Sequence, residues 1–137
     1  MEFRNNFQEL KSQIEYLSSL NKEDVTHIIK SSIYELESLK FFNEKELNEI
    51  NKVTLISEPF NNLFFKYNKE RLINKVVVYI EVENDLQFII SLLYFFKQRV
   101  PILFHTSSKL QLQFIDILNK FLEENGVSNK FLRKIDE

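Results

Sequence analysis

The chain contains no cysteine. That excludes a disulfide-stapled scaffold, cysteine-ligated zinc, iron–sulfur clusters and a thiol nucleophile, and it fits a reducing compartment. Glycine is almost as scarce: Gly126 is the only one in 137 residues. Phosphate-cradling loops and dinucleotide fingerprints need several glycines for tight turns and close backbone approach, so both are excluded in their standard forms. The two histidines, His27 and His105, have no partners at zinc-binding spacing. The longest apolar-rich stretch, Leu86 to Phe96, is too short to span a bilayer. A net charge of −2 offers no general attraction to a phosphate backbone. The opening MEFRNNFQELKSQIEYL is charged throughout and does not read as a signal peptide. The expected location is the cytoplasm, with no membrane association.

What the chain does have is aromatic bulk. With 14 Phe and 5 Tyr it carries far more than a disordered segment holds, so a packed interior is expected. The length corresponds to a single domain spanning 1–137.

Phe3, Phe7, Leu10, Ile14 and Leu17 recur at alternating spacings of four and three, one stripe of a helix. Asn21 then caps a second helix, with Glu23 and Asp24 in its first turn and an apolar face running from Val25 to Leu39. Asn43 caps a short third helix over 44–50. From residue 53 the period changes. VTLI, then NLFFKY after Glu58-Pro59, then KVVVYIEVE read as three strands of a meander. The segment 85–98 is apolar on nearly every side, the pattern of a helix buried between two layers. VPILF is a fourth strand whose Pro101 places it at a strand start or an edge. A last helix covers 109–124 and stops at Gly126, before the tail NKFLRKIDE. The expected fold is therefore α/β or α+β. A helical layer over 1–50 precedes a βββαβα core over 53–125, with a mixed four-stranded sheet carrying helices on its faces, and a tail over 126–137. The β-α-β crossover is expected to be parallel.

In such a unit ligands meet the carboxyl ends of the strands. Two polar clusters fall there: Glu81, Glu83, Asn84 and Asp85 after one strand, and His105, Thr106, Ser107, Ser108 and Lys109 after the next. Alternation puts Val77, Tyr79, Glu81 and Glu83 on one face, with the two carboxylates roughly 7 Å apart. That pair can bind a hard divalent cation, or can simply be the solvated rim of a strand. Helix capping explains part of the second cluster, since Ser108 with Gln111 and Asn84 with Gln87 both fit a capping box. His105, Thr106, Ser107 and Lys109 remain. A triad of His105, Ser107 and Asp85 can be drawn, but without the glycine-flanked elbow such nucleophiles use. Basic residues concentrate in KYNKERLINK, 66–75, as a phosphate-contacting turn or a solvated loop.

IEVEND followed by an apolar helix and PILFHTSS is similar to the third strand, core helix and last strand of restriction-endonuclease-like nucleases of the PD-(D/E)xK type. The resemblance implies an αβββαβ core in which Glu81 matches the metal-binding acid and Glu83 takes the lysine position. The hairpin aspartate of that family has no counterpart between Val53 and Lys75, so Glu58 beside Pro59, or Glu70, would substitute. It implies Mg²⁺ or Mn²⁺ and a nucleic-acid substrate if active, with His105 or Lys109 nearby, or else an inactive, repurposed nuclease fold. VVVYIEVENDL, VPILFHTSSK and FLEENGV also resemble one β-α-β-α unit of the aldehyde dehydrogenase and acyl-CoA reductase family, which we read as shared βα geometry.

No complete catalytic constellation stands out. The leading expectation is a cytoplasmic, non-catalytic binding protein without a cofactor, an adaptor, inhibitor or immunity-type partner of another protein. The alternative is a divalent-metal nuclease using Glu81 and Glu83. A third is a small-molecule or phosphate site at Thr106 to Lys109.

Overall fold

The computed structural model describes residues 2–55 and 77–135, with side chains from residue 5. Four helices come first: α1 (Glu2–Lys11), α2 (Ile14–Ser18), α3 (Lys22–Ser38) and α4 (Glu44–Asn51), the last running into a 3-10 turn, Lys52–Leu55. Strand β1 (Val78–Ile80), helix α5 (Asp85–Lys97), strand β2 (Ile102–Phe104), helix α6 (Lys109–Glu124) and strand β3 (Leu132–Lys134) follow. The three strands form a parallel sheet in the order β1-β2-β3, with Val78 opposite Ile102 and Ile102 opposite Leu132.

Side-chain alternation divides the sheet between two cores. Ile80, Ile102 and Phe104 face the main core, which holds Phe88, Leu92 and Phe96 of α5 and Phe114 and Leu118 of α6. Leu103 faces the other way and joins Leu10 of α1, Ile135 and Val77. Helix α1 thus covers one face of the sheet, while α5 and α6 fill the opposite face and are covered in turn by α3 and α4. This layering explains why α5 is apolar on nearly every side: it packs on β1 and β2, and also on α3 and α4.

The same division breaks the N-terminal helix. A single stripe from Phe3 to Leu17 is expected, yet the helix stops at Lys11 and restarts at Ile14. Leu10 belongs to the core beneath the sheet and Leu17 to the main core, and one straight helix cannot reach both. Ser12 closes the break by donating its hydroxyl to the Glu9 carbonyl at 2.6 Å.

The caps fall where the sequence puts them. Asn21 accepts from the Glu23 amide, and Asn43 forms a complete capping box with Glu46. Gly126 ends α6 at φ 70°, with the Val127 amide turned back onto the Leu122 carbonyl at 2.8 Å.

The expected sheet needs correction. Among the described residues it has three parallel strands, not four mixed ones. The described part of VTLI, Val53 to Leu55, is no strand: Lys52–Leu55 is a 3-10 turn, and the Lys97 ammonium donates to the carbonyls of Val53 and Thr54 at 2.9 and 2.8 Å. That supplies partners for a helix end that would otherwise leave them bare. NLFFKY and the basic run 66–75 lie outside the described residues. The third strand comes instead from the tail: β3 pairs with β2 because Phe131 is fully buried, stacked on Phe96 at 5.3 Å, and Ile135 fills the space beside Leu103. Pro101 stands just before β2, which is central rather than an edge, so its missing N–H costs no ladder bond within the strand. Among the described residues no helix is long and apolar enough to cross a membrane.

Candidate functional site

The carboxyl ends of β1 and β2 open into one cleft of about 530 Å³, lined by Glu81, Val82, Glu83, His105, Thr106, Ser107, Ser108 and Gln111. Parallel pairing produces this convergence: both strands run the same way, so both polar clusters emerge at the same edge. The backbone joins them directly, with the His105 amide donating to the Ile80 carbonyl at 3.1 Å.

The floor is a hydrogen-bonded network. Gln111, only 1% exposed, donates through Nε2 to the Val82 carbonyl at 2.9 Å and to Asp85 Oδ1 at 3.0 Å. Its Oε1 accepts from the buried Thr106 hydroxyl, and Thr106 Oγ1 accepts from the Ser108 amide at 3.0 Å. Ser108 Oγ accepts from the Gln111 amide at 3.2 Å and donates to Asp85 Oδ1 at 2.8 Å. The two loops are therefore locked together from below, and each buried polar group in the network has a partner.

Both capping residues cap, but neither makes a box. Asn84 Oδ1 accepts from the Gln87 amide at 2.9 Å, and Ser108 serves Gln111 likewise. The reciprocal bond present at Asn43 is missing at both sites; at Ser108 this is because Gln111 turns its side chain inward to the β1–α5 loop.

The drawn triad does not form. His105 places Nδ1 2.9 Å from the Ile135 carbonyl, and a carbonyl only accepts, so Nδ1 carries the proton and Nε2 is the acceptor of the neutral ring. Asp85 spends Oδ1 on Ser108 and Gln111, not on His105. Ser107 is exposed on the cleft wall. Lys109 is exposed at the start of α6 and does not line the cleft.

Glu81 and Glu83 are both exposed and line the cleft, but they lie past the end of β1 at Ile80, and Val82 between them lines it too, so strand alternation does not set their placement. Tyr79 Oη donates to Glu81 Oε1 at 2.8 Å. Among the described residues no three His, Asp or Glu side chains are grouped closely enough to hold a metal ion. The candidate third acids, Glu58 and Glu70, lie outside those residues. His27 is exposed on α3, away from this site.

Anions find little here. At the starts of α5 and α6 the Gln87 and Gln111 amides are already bonded to the Asn84 and Ser108 side chains. Asp85 adds its own negative charge between the two helix ends. The cleft is rich in acceptors: two carboxylates and, in the neutral ring, the Nε2 of His105.

Sequence reasoning missed Gln111 as the organiser of the site. Its signal was present, because Gln111 shares a helical stripe with Phe114, Ile115 and Leu118, a polar residue at a core position. Compared with protein-family models, with curated proteins and with solved structures, the chain matches none of them.

Proposed function

We propose that the chain is a non-catalytic binding protein whose recognition site is the cleft at the carboxyl ends of β1 and β2, and that its partner is a protein presenting a basic side chain. The observation that carries this reading is the closed network of Asp85, Ser108, Gln111 and Thr106. Hydroxyls committed to structural bonds are poor nucleophiles, and a rigid floor suits recognition. Above it, Glu81, Glu83 and His105 Nε2 offer acceptors and negative charge, which complement an ammonium or guanidinium group.

An NMR titration of the labelled chain with an arginine-containing peptide tests this. The expected outcome is saturable shifts at the amides of Glu81, Glu83, His105 and Ser107, lost in the Glu81→Gln/Glu83→Gln double variant. Equal shifts from a peptide without basic residues would sink the reading. Titration with Mn²⁺ separates it from a metal-dependent nuclease. Specific, saturable paramagnetic broadening centred on Glu81 and Glu83, together with cleavage of nucleic acid, would favour the enzyme instead.

A further inference from the structure

A second cleft of about 470 Å³ lies at the opposite end of α5. Its lining among the described residues includes Lys22, Thr26, Thr54, Lys97, Gln98 and Arg99, and no carboxylate. Three cations from different places in the chain meet there: Lys22 is the first residue of α3, Lys97 the last of α5, and Arg99 lies two residues beyond. Glu23 and Asp24 share a helical turn with Lys22 but do not line the cleft.

Bringing three like charges into one half-enclosed space is unfavourable unless something offsets it. Burial, and then the charge of Lys22, hold the Lys97 ammonium below the usual lysine range. Structural duties account for only part of the donor capacity. Lys97 spends two donors on the carbonyls of Val53 and Thr54. Arg99 spends two on the carbonyls of Lys97 and Leu20, at 2.8 and 3.2 Å, and a guanidinium has five.

Arg99 also has an unusual backbone. It sits at φ 64°, the left-handed conformation that Gly126 takes after α6 at φ 70°. Glycine is the residue that this position favours. Exposed Lys40 shares this backbone at φ 61°; at Arg99 the side chain that takes its place is a guanidinium lining the cleft.

We propose that this cleft binds the phosphoryl group of a small phosphorylated molecule, with Lys22, Lys97 and Arg99 as its cationic donors. A phosphoryl group carries close to two negative charges and three acceptor oxygens, which matches three converging cations better than a single carboxylate does. Arginine's planar fork suits two of those oxygens. The cleft is larger than one phosphate requires, leaving room for the organic remainder. The site is separate from the acceptor-rich cleft between β1 and β2, and either assignment can fail without the other.

Inorganic phosphate, replacing chloride at constant ionic strength, is the probe for an NMR titration of the full chain. Saturable shifts are expected at the amides of Lys22, Thr54, Gln98 and Arg99, with Glu81 and His105 unmoved. Lys22→Met, a change at an exposed helix start, is expected to weaken phosphate about tenfold while preserving the spectrum elsewhere. Shifts that do not saturate, that chloride reproduces, or that survive Lys22→Met with unchanged affinity would overturn the assignment.

Discussion

The side-chain amide of Gln111 reaches 2.9 Å to the carbonyl of Val82, a residue 29 positions earlier in the chain. Through this contact the first turn of α6 holds the loop that leaves β1. The geometry of the candidate cleft depends on this contact, because it ties the loop after β1 to the helix that follows β2.

Gln111→Met, close in size and without hydrogen bonds, is expected to destabilise the fold by about 3 kcal/mol. It strands the buried Thr106 hydroxyl, and the Val82 carbonyl and part of the Asp85 carboxylate in a half-buried setting. Ser108→Ala is expected to cost about 2 kcal/mol and Asn84→Ala about 1 kcal/mol, since Ser108 both caps α6 and donates to Asp85 whereas Asn84 only caps. Urea denaturation with unchanged m-values gives all three numbers. Equal losses for Ser108 and Asn84 would show that the Asp85 contact contributes nothing.

Phe131 decides whether the tail belongs to the fold. It is fully buried against Phe96, and its carbonyl accepts from the Ile102 amide at 2.8 Å. Phe131→Ala is expected to cost about 3–5 kcal/mol. Phe41→Ala, at a position 53% exposed, should cost well under 1 kcal/mol. Similar midpoints for the two variants in thermal melts would mean that β3 is not integral.

Lys40 and Gly126 test backbone strain in opposite directions. Lys40 is exposed and follows α3 at φ 61°, a conformation that costs a side-chain-bearing residue about 1 kcal/mol or more. Lys40→Gly is expected to stabilise the protein by roughly that amount, and Gly126→Ala to destabilise it by about as much. A Cβ at Gly126 would meet nothing within 4 Å, so the loss there reports conformation alone. Chemical denaturation of both variants measures it.

Lys97 links stability to alkaline pH. Burial first, and Lys22 second, lower its pKa below the 10.5 of a free lysine. The unfolded chain therefore keeps that proton to higher pH than the folded one, and the Lys97 contribution to stability rises with pH between the two values. Lys22→Met removes one of the two causes, so the Lys97 titration followed by NMR should move back toward 10.5 and the alkaline rise in stability should shrink. A Lys97 midpoint that does not move in Lys22→Met would show that burial alone sets it.

Local signals in the sequence determined a great deal of this protein. Apolar spacing and capping residues placed α3, α4, α5 and α6 within a residue or two, because a helix needs only a periodic face and satisfied ends. The polar runs after the first β-α-β strand and after Phe104 marked the strand ends where the cleft opens. What only the tertiary structure decided depends on contacts distant in sequence. The third strand comes from the charged tail, where the sequence offers Phe131 and Leu132 as sources of partial order but no strand; it forms because Phe131 and Ile135 find partners in α5 and α1. Lys52–Leu55 curls into a 3-10 turn whose Val53 and Thr54 carbonyls Lys97 completes. The N-terminal stripe divides because Leu10 and Leu17 serve cores on opposite faces of the sheet. His105 loses its place in a triad to a backbone carbonyl 30 residues away. Periodicity reports which side of an element is apolar; what that side meets is settled only when the layers close.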